Sequence, residues 1–246
     1  SDRAGQKGVE RFMRHYFFTA KRVGDLTRIF CAHLQESHQR KPLLRLPKIK
    51  RRPKDLSGFV IDAGRITVPD ETFFQDDAVR MLEIFALADK HGLDLHPNAM
   101  RQMRQDRKLI NSQIRRDPRA NDFFLQVLTS QNEPEIYLRL MSEAGIFGRF
   151  IPDFGRVVGK MQYDMYHHYT VDEHSIRAIG LLSKIEKGLL EADHPLSTRV
   201  IGKIVSRRAL YVAVLLHDIA KGRSGDHSVL GERVARKLCP RLGLTA

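Results

Sequence analysis

Ala209-Leu210-Tyr211-Val212-Ala213-Val214-Leu215-Leu216-His217-Asp218-Ile219-Ala220-Lys221-Gly222 is an apolar run that ends in an adjacent imidazole and carboxylate. Such a run wants burial as a core helix or strand. It therefore delivers His217 and Asp218 to the edge of a core, where a polar group without partners costs about 2–7 kcal/mol. A divalent metal is one partner that satisfies both, since histidine nitrogen with aspartate oxygen suits Mn, Fe, Zn or, with more oxygen, Mg. On the dipeptide alone, a hydrogen-bonding role at a helix end is the simpler reading.

The surrounding sequence supplies further candidates. His174 falls in a helical stretch, Val171 to about Lys187, with Thr170 or Asp172 as its cap. His217 and Asp218 close a helix expected over 208–220, and Asp226 opens a last helix from His227 to about Leu238, broken by Pro240. A histidine from one helix, His-Asp from a second and a histidine from a third can converge on one or two metal ions in a bundle. Neighbouring helical residues lie about 100° apart, so His217 and Asp218 reach the same cleft. Lys221, Gly222 and Gly225 lie in the intervening turn, where Lys221 is a point charge suited to a phosphate.

The totals bound the class. The chain has 246 residues, 42% hydrophobic and 29% charged, which is a globular composition with room for two modules. No apolar stretch approaches the roughly 18 residues of a membrane span, and the start carries no signal-peptide core. Cys31 and Cys239 have no metal-ligand spacing and fit a reducing cytoplasm. The formal charge of +13 raises a polyanionic partner as a question. Much of it sits in the proline-punctuated stretch Arg40–Lys54, and a solvated basic linker is preferred there over a nucleic-acid arm. Both ends of the chain look cut, as in a fragment of a longer protein.

The remainder reads as mainly helical. Apolar residues recur at helical spacing over 8–36, as one long or two short helices with a basic outer face. Residues 59–68 read as a small β-hairpin around Ala63-Gly64. Four amphipathic helices follow. One starts near Asp76 and stops at His91-Gly92, and one opens near Pro97 and runs to about Asn111. The other two follow Asp117-Pro118 and Glu133-Pro134, the last stopping at Gly145. Residues 146–161 read as a loop with a short helix, and a further helix is expected over 198–206. His91 and His96 are expected to be structural.

At this point a resemblance enters. His174, His217-Asp218 and His227 resemble the HD superfamily of metal-dependent phosphohydrolases, an all-helical fold. The longer stretches Tyr166–His174, His217–Gly222 and Gly225–Ser228 resemble the bifunctional uridylyltransferase/uridylyl-removing enzymes that act on the signal protein PII. So do Val9–Met13 with Tyr16-Phe17, and Ile151–Arg156. The helices of 76–152 are similar to the region behind the catalytic head of tRNA nucleotidyltransferases.

The resemblance implies an all-α chain in two parts. Residues 1–155 would be a helical linker domain following a nucleotidyltransferase head, and 156–246 the N-terminal part of an HD domain, truncated. It implies metal-assisted hydrolysis of UMP from a uridylyl-tyrosine of PII. His174, His217, Asp218 and His227 would hold Mn or Mg, with Fe or Zn as alternatives, and His217, Asp218 and Lys221 would be catalytic. His167 and His168 would line the pocket or simply pack. It implies glutamine sensing through ACT domains, and a cytoplasmic location. The sequence has no Gly-Ser head with paired aspartates and no ACT region, and it ends before the later His and Asp of the family's metal site. Two other readings stand beside this one: an HD phosphohydrolase acting on free nucleotides, and an RNA-binding helical module without catalysis.

Overall fold

The computed structural model describes residues 2–38, 55–160, 169–223 and 225–244. The basic stretch of 40–54 and the Tyr166-His167-His168 motif lie outside them. The architecture is all-α, with one small sheet.

The first half opens with the long helix α1 (Asp2–His38), so residues 8–36 form one helix. The expected hairpin is β1 (Val60–Asp62) against β2 (Arg65–Thr67), antiparallel, with Ile61 opposite Ile66. The turn carries Ala63 and Gly64 at positive φ, 47° and 80°. A third strand, β3 (Asp94–Leu95), pairs in parallel with β2, and the His96 amide donates to the Ile66 carbonyl at 2.9 Å.

Between the strands lie α2 (Phe73–Asp76) and α3 (Arg80–His91). Gly92 closes α3 in the left-handed region at φ 61°, its amide donating to Ala88 and Asp89 carbonyls. Next comes α4 (Pro97–Asp106), capped by the His96 ring, which accepts from the Asn98 amide at 3.1 Å. It stops earlier than expected, in a 3₁₀ turn at Arg107–Leu109, and α5 (Ser112–Arg116) restarts behind an Asn111 cap. Asp117 and Pro118 start α6 (Pro118–Leu128) as the sequence indicated, Asp117 accepting from the Arg119 amide at 2.8 Å.

α7 (Pro134–Glu143) follows, then α8 (Ile146–Phe150) and α9 (Pro152–Val157). Where a loop with one short helix was expected, there are these two short helices. Gly148 and Gly155 are there for contact, not for a turn. A Cβ on Gly155 would stand 2.7 Å from the Gly148 carbonyl oxygen, and Phe147 and Phe154 stack beside them at 3.8 Å between centroids. Because the obstacle is backbone, Gly155→Ala is expected to destabilise the chain by about 1–3 kcal/mol, the usual cost of overpacking. Urea unfolding measures it.

The second half holds α10 (Val171–Glu186), α11 (Pro195–Ile201), α12 (Arg207–Leu216) and α13 (His227–Leu238). Thr170 is the N-cap residue of α10, in extended backbone, but makes no side-chain cap bond. The buried Asp172 carboxylate instead accepts from the Gly159 amide at 3.0 Å, tying the start of α10 to the end of α9. α3 packs on α6, and α10 packs on both α7 and α12. One buried apolar cluster runs from Phe59 to Leu242, through both halves.

Candidate metal centre

α12 buries Tyr211, Val212, Leu215 and Leu216, and Ile219 continues that face. The helix itself ends at Leu216, but His217 keeps helical dihedrals (φ −55°, ψ −34°), so the pair leaves the helix in register. α10 runs antiparallel beside it. Its Glu186 meets Arg207 at the start of α12, and its His174 meets His217 at the end. The two histidines thus arrive from opposite chain directions at one end of a packed helix pair.

The donor atoms converge. His174 Nε2 lies 3.1 Å from His217 Nε2, and Asp218 Oδ2 lies 3.6 and 3.3 Å from them. Among the described residues these three form the group of His, Cys, Asp or Glu side chains able to share a cation, their donor atoms all within 4.8 Å of one another. Asp218 is buried (7% exposed), whereas the His174 and His217 side chains are 41% and 39% exposed. The group therefore has a protein side and an open side.

The chemistry of the donors fits a cation. His217 Nδ1 lies 2.6 Å from the Val214 carbonyl oxygen. A carbonyl only accepts, so Nδ1 carries the proton and, in the neutral ring, Nε2 presents its lone pair to the group. Two imidazole nitrogens and a carboxylate oxygen at these distances need a proton or a cation among them. Two nitrogens with one oxygen suit Mn, Fe or Zn and, where further oxygen ligands join, Mg.

Lys221 Nζ lies 2.8 Å from the same Asp218 oxygen and is 17% exposed. His227 is exposed at the first position of α13, and its ring is not among the converging donors. Asp226 caps that helix, accepting from the Ser228 and Val229 amides at 2.7 and 3.3 Å. Those amides hold its carboxyl below the ordinary value. Two further residues hold the turn after Asp218. Lys160 packs over Gly222 and donates to its carbonyl, and Arg223 pairs with Asp153 at 2.8 Å. Sequence reasoning passed over both, because each contact spans more than sixty residues and has no local signature.

The family model described as HD domain matches residues 171–246, and the one described as Uridylyltransferase GlnD third domain matches 59–150. Proteins named bifunctional uridylyltransferase/uridylyl-removing enzyme match the chain from end to end. The one from Novosphingobium aromaticivorans is 58% identical over 246 residues, and the one from Azospirillum brasilense 58% identical over 249. That from Rhodospirillum rubrum is 50% identical over 245. Each match takes in 100% of this chain but only 26–27% of the relative. The chain is thus similar over its whole length to bifunctional uridylyltransferase/uridylyl-removing enzymes and spans about a quarter of theirs.

Proposed function

We propose that this chain carries the uridylyl-removing half of such an enzyme, hydrolysing the phosphodiester between UMP and a tyrosine of PII. The observation that supports it most is the convergence of His174, His217 and Asp218 inside the stretch matched by the HD domain model. Residues 1–155 are read as a helical linker behind a nucleotidyltransferase head, and 156–246 as the first part of the HD domain. Glutamine would act through ACT domains elsewhere in the polypeptide, in the cytoplasm. Among the described residues no helix is long and apolar enough to cross a membrane.

In this reading His174 Nε2, His217 Nε2 and Asp218 Oδ2 hold a divalent ion, Mn or Mg first. When bound, such an ion supplies an acidified water and polarises a phosphoryl oxygen. The Val214 carbonyl fixes the His217 tautomer. Lys221 offsets negative charge on the phosphoryl group. The tyrosine oxygen departs as a phenolate, whose pKa of about 10 asks little of a general acid. His227 contributes from the rim. In Mn titrations, His174→Ala is expected to weaken binding at least about tenfold, a minimum set by what supporting residues alone cost. His227→Ala is expected to weaken it less than about threefold, on the same scale.

Hydrolysis of free nucleotides and RNA binding are not favoured, because the identity runs with uridylyl-removing enzymes over the whole chain. The test is a comparison of UMP release from uridylylated PII with phosphate release from free nucleotides, with Mn present. Faster turnover of the nucleotides would overturn the proposal.

A further inference from the structure

α1 turns its large apolar side chains outwards. Phe12, Tyr16, Val23, Leu26, Phe30 and Leu34 are 66%, 55%, 57%, 66%, 61% and 37% exposed. At about 100° per residue all six fall within an arc of roughly 80°, a single stripe along the helix. Phe17 and Phe18 leave from the other side. There they meet the body of the protein beside Val158, Gly159 and Tyr169, in a cleft of about 280 Å³. The stripe is thus left over after α1 has docked. It amounts to roughly 600–700 Å² of apolar surface, with aromatic side chains supplying the largest shares. A patch of that size marks an interface in a soluble protein.

We infer that this stripe seats a segment of the same polypeptide lying outside residues 1–246. Three observations choose that occupant. The relatives that match this chain end to end are nearly four times as long, since it covers 27% of them. A covalently linked segment meets the stripe at an effective concentration in the millimolar range. The area is that of a contact between domains of one chain.

A second copy fits less well. α1 carries seven Lys or Arg against four Asp or Glu, so two copies would set +3 against +3. Thr19 also interrupts the stripe where a two-helix coil wants leucine. The occupant accordingly has an apolar centre and acidic edges. The inference rests on the likeness to these longer relatives and not on the hydrolytic reading, so either can fail alone.

Hydrogen exchange of peptides covering residues 9–34 tests it, compared between residues 1–246 alone and the full-length polypeptide. Exchange at least about tenfold slower in the full-length protein is expected, independent of protein concentration. Leu26→Asp is expected to restore fast exchange there, while leaving the melting temperature of residues 1–246 unchanged because Leu26 is exposed in them. Equal exchange in the two proteins would overturn the inference. So would protection that rises with concentration together with a dimer that Leu26→Asp dissolves, which would assign the stripe to a second copy.

Discussion

On the proposed uridylyl-removing reading, Asp218→Asn is expected to reduce metal-dependent UMP release by at least about 10³-fold while leaving the chain folded. The substitution keeps the shape of the side chain and removes its charge. Asp218 is the buried member of the donor group, and its Oδ2 faces both imidazole nitrogens and Lys221 at 2.8–3.6 Å. A neutral amide oxygen there is a poor ligand for a hard divalent ion. The several kcal/mol of transition-state stabilisation that a metal supplies would go with it, and each 1.36 kcal/mol is tenfold in rate. Stability is expected to fall by about 1–3 kcal/mol, because the amide still packs and still accepts from Lys221 but leaves that ammonium without its counter-charge. Rates with and without Mn, beside Mn titrations of both proteins, decide the matter. A variant keeping a tenth of the rate would remove Asp218 from the site. A variant that binds Mn normally but is inactive would move Asp218 from holding the metal to some other task.

The parts of this centre differ in how readable they were. His217-Asp218 announces itself, because eight apolar residues drive two polar groups to the edge of a core. His174 is fainter, since one histidine in a helix carries little signal: it enters as one of several helix-borne candidates, and the resemblance then singles it out. The sequence placed His227 at the start of a helix through the Asp226 cap, which is a local fact. Its position relative to the donors depends on how the chain runs on from Gly222 and Arg223, whose partners, Lys160 and Asp153, come from far away in the chain. The fold divides in the same way. Asp117-Pro118 and Gly92 mark helix ends by chemistry that acts within four residues. β3 has two residues and exists because β2 offers it an edge. Gly148 and Gly155 read as loop residues because glycine usually breaks helices, yet each is glycine so that α8 and α9 can touch.

Arg207→Ala is expected to cost about 2–3 kcal/mol at pH 7, and to cost much less near pH 3. The guanidinium binds both Glu186 oxygens, one of them at 2.7 Å, and also donates to the Thr129 carbonyl at the end of α6. Tyr211 donates to Glu186 at 2.7 Å, beneath the same guanidinium. This clamp joins α10, α12 and α6, about 15–18 Å along the helix pair from the candidate metal centre at 1.5 Å per residue. Breaking a buried pair costs 3–5 kcal/mol, and these side chains are 31% and 25% exposed, so the lower figure applies. In a chain of this size the melting temperature should fall by roughly 5–10 °C. The pH dependence follows from proton binding. Arg207 first, then the Tyr211 hydroxyl, hold the Glu186 carboxyl below its ordinary value, against the opposing effect of burial. The native state therefore binds fewer protons than the unfolded chain around pH 4. The stabilisation is fully present above the unfolded carboxyl value of about 4.3 and is lost as pH falls through the lowered native one. Tyr211, pushed up to about 12 mainly by burial, stays a donor throughout. Urea unfolding of both proteins at pH 7 and pH 3 separates the possible causes. A cost that shrinks with acid assigns it to the Glu186 carboxylate. A cost equal at both values would assign it to the bond to Thr129 and the stacking on Tyr211, neither of which titrates in that range.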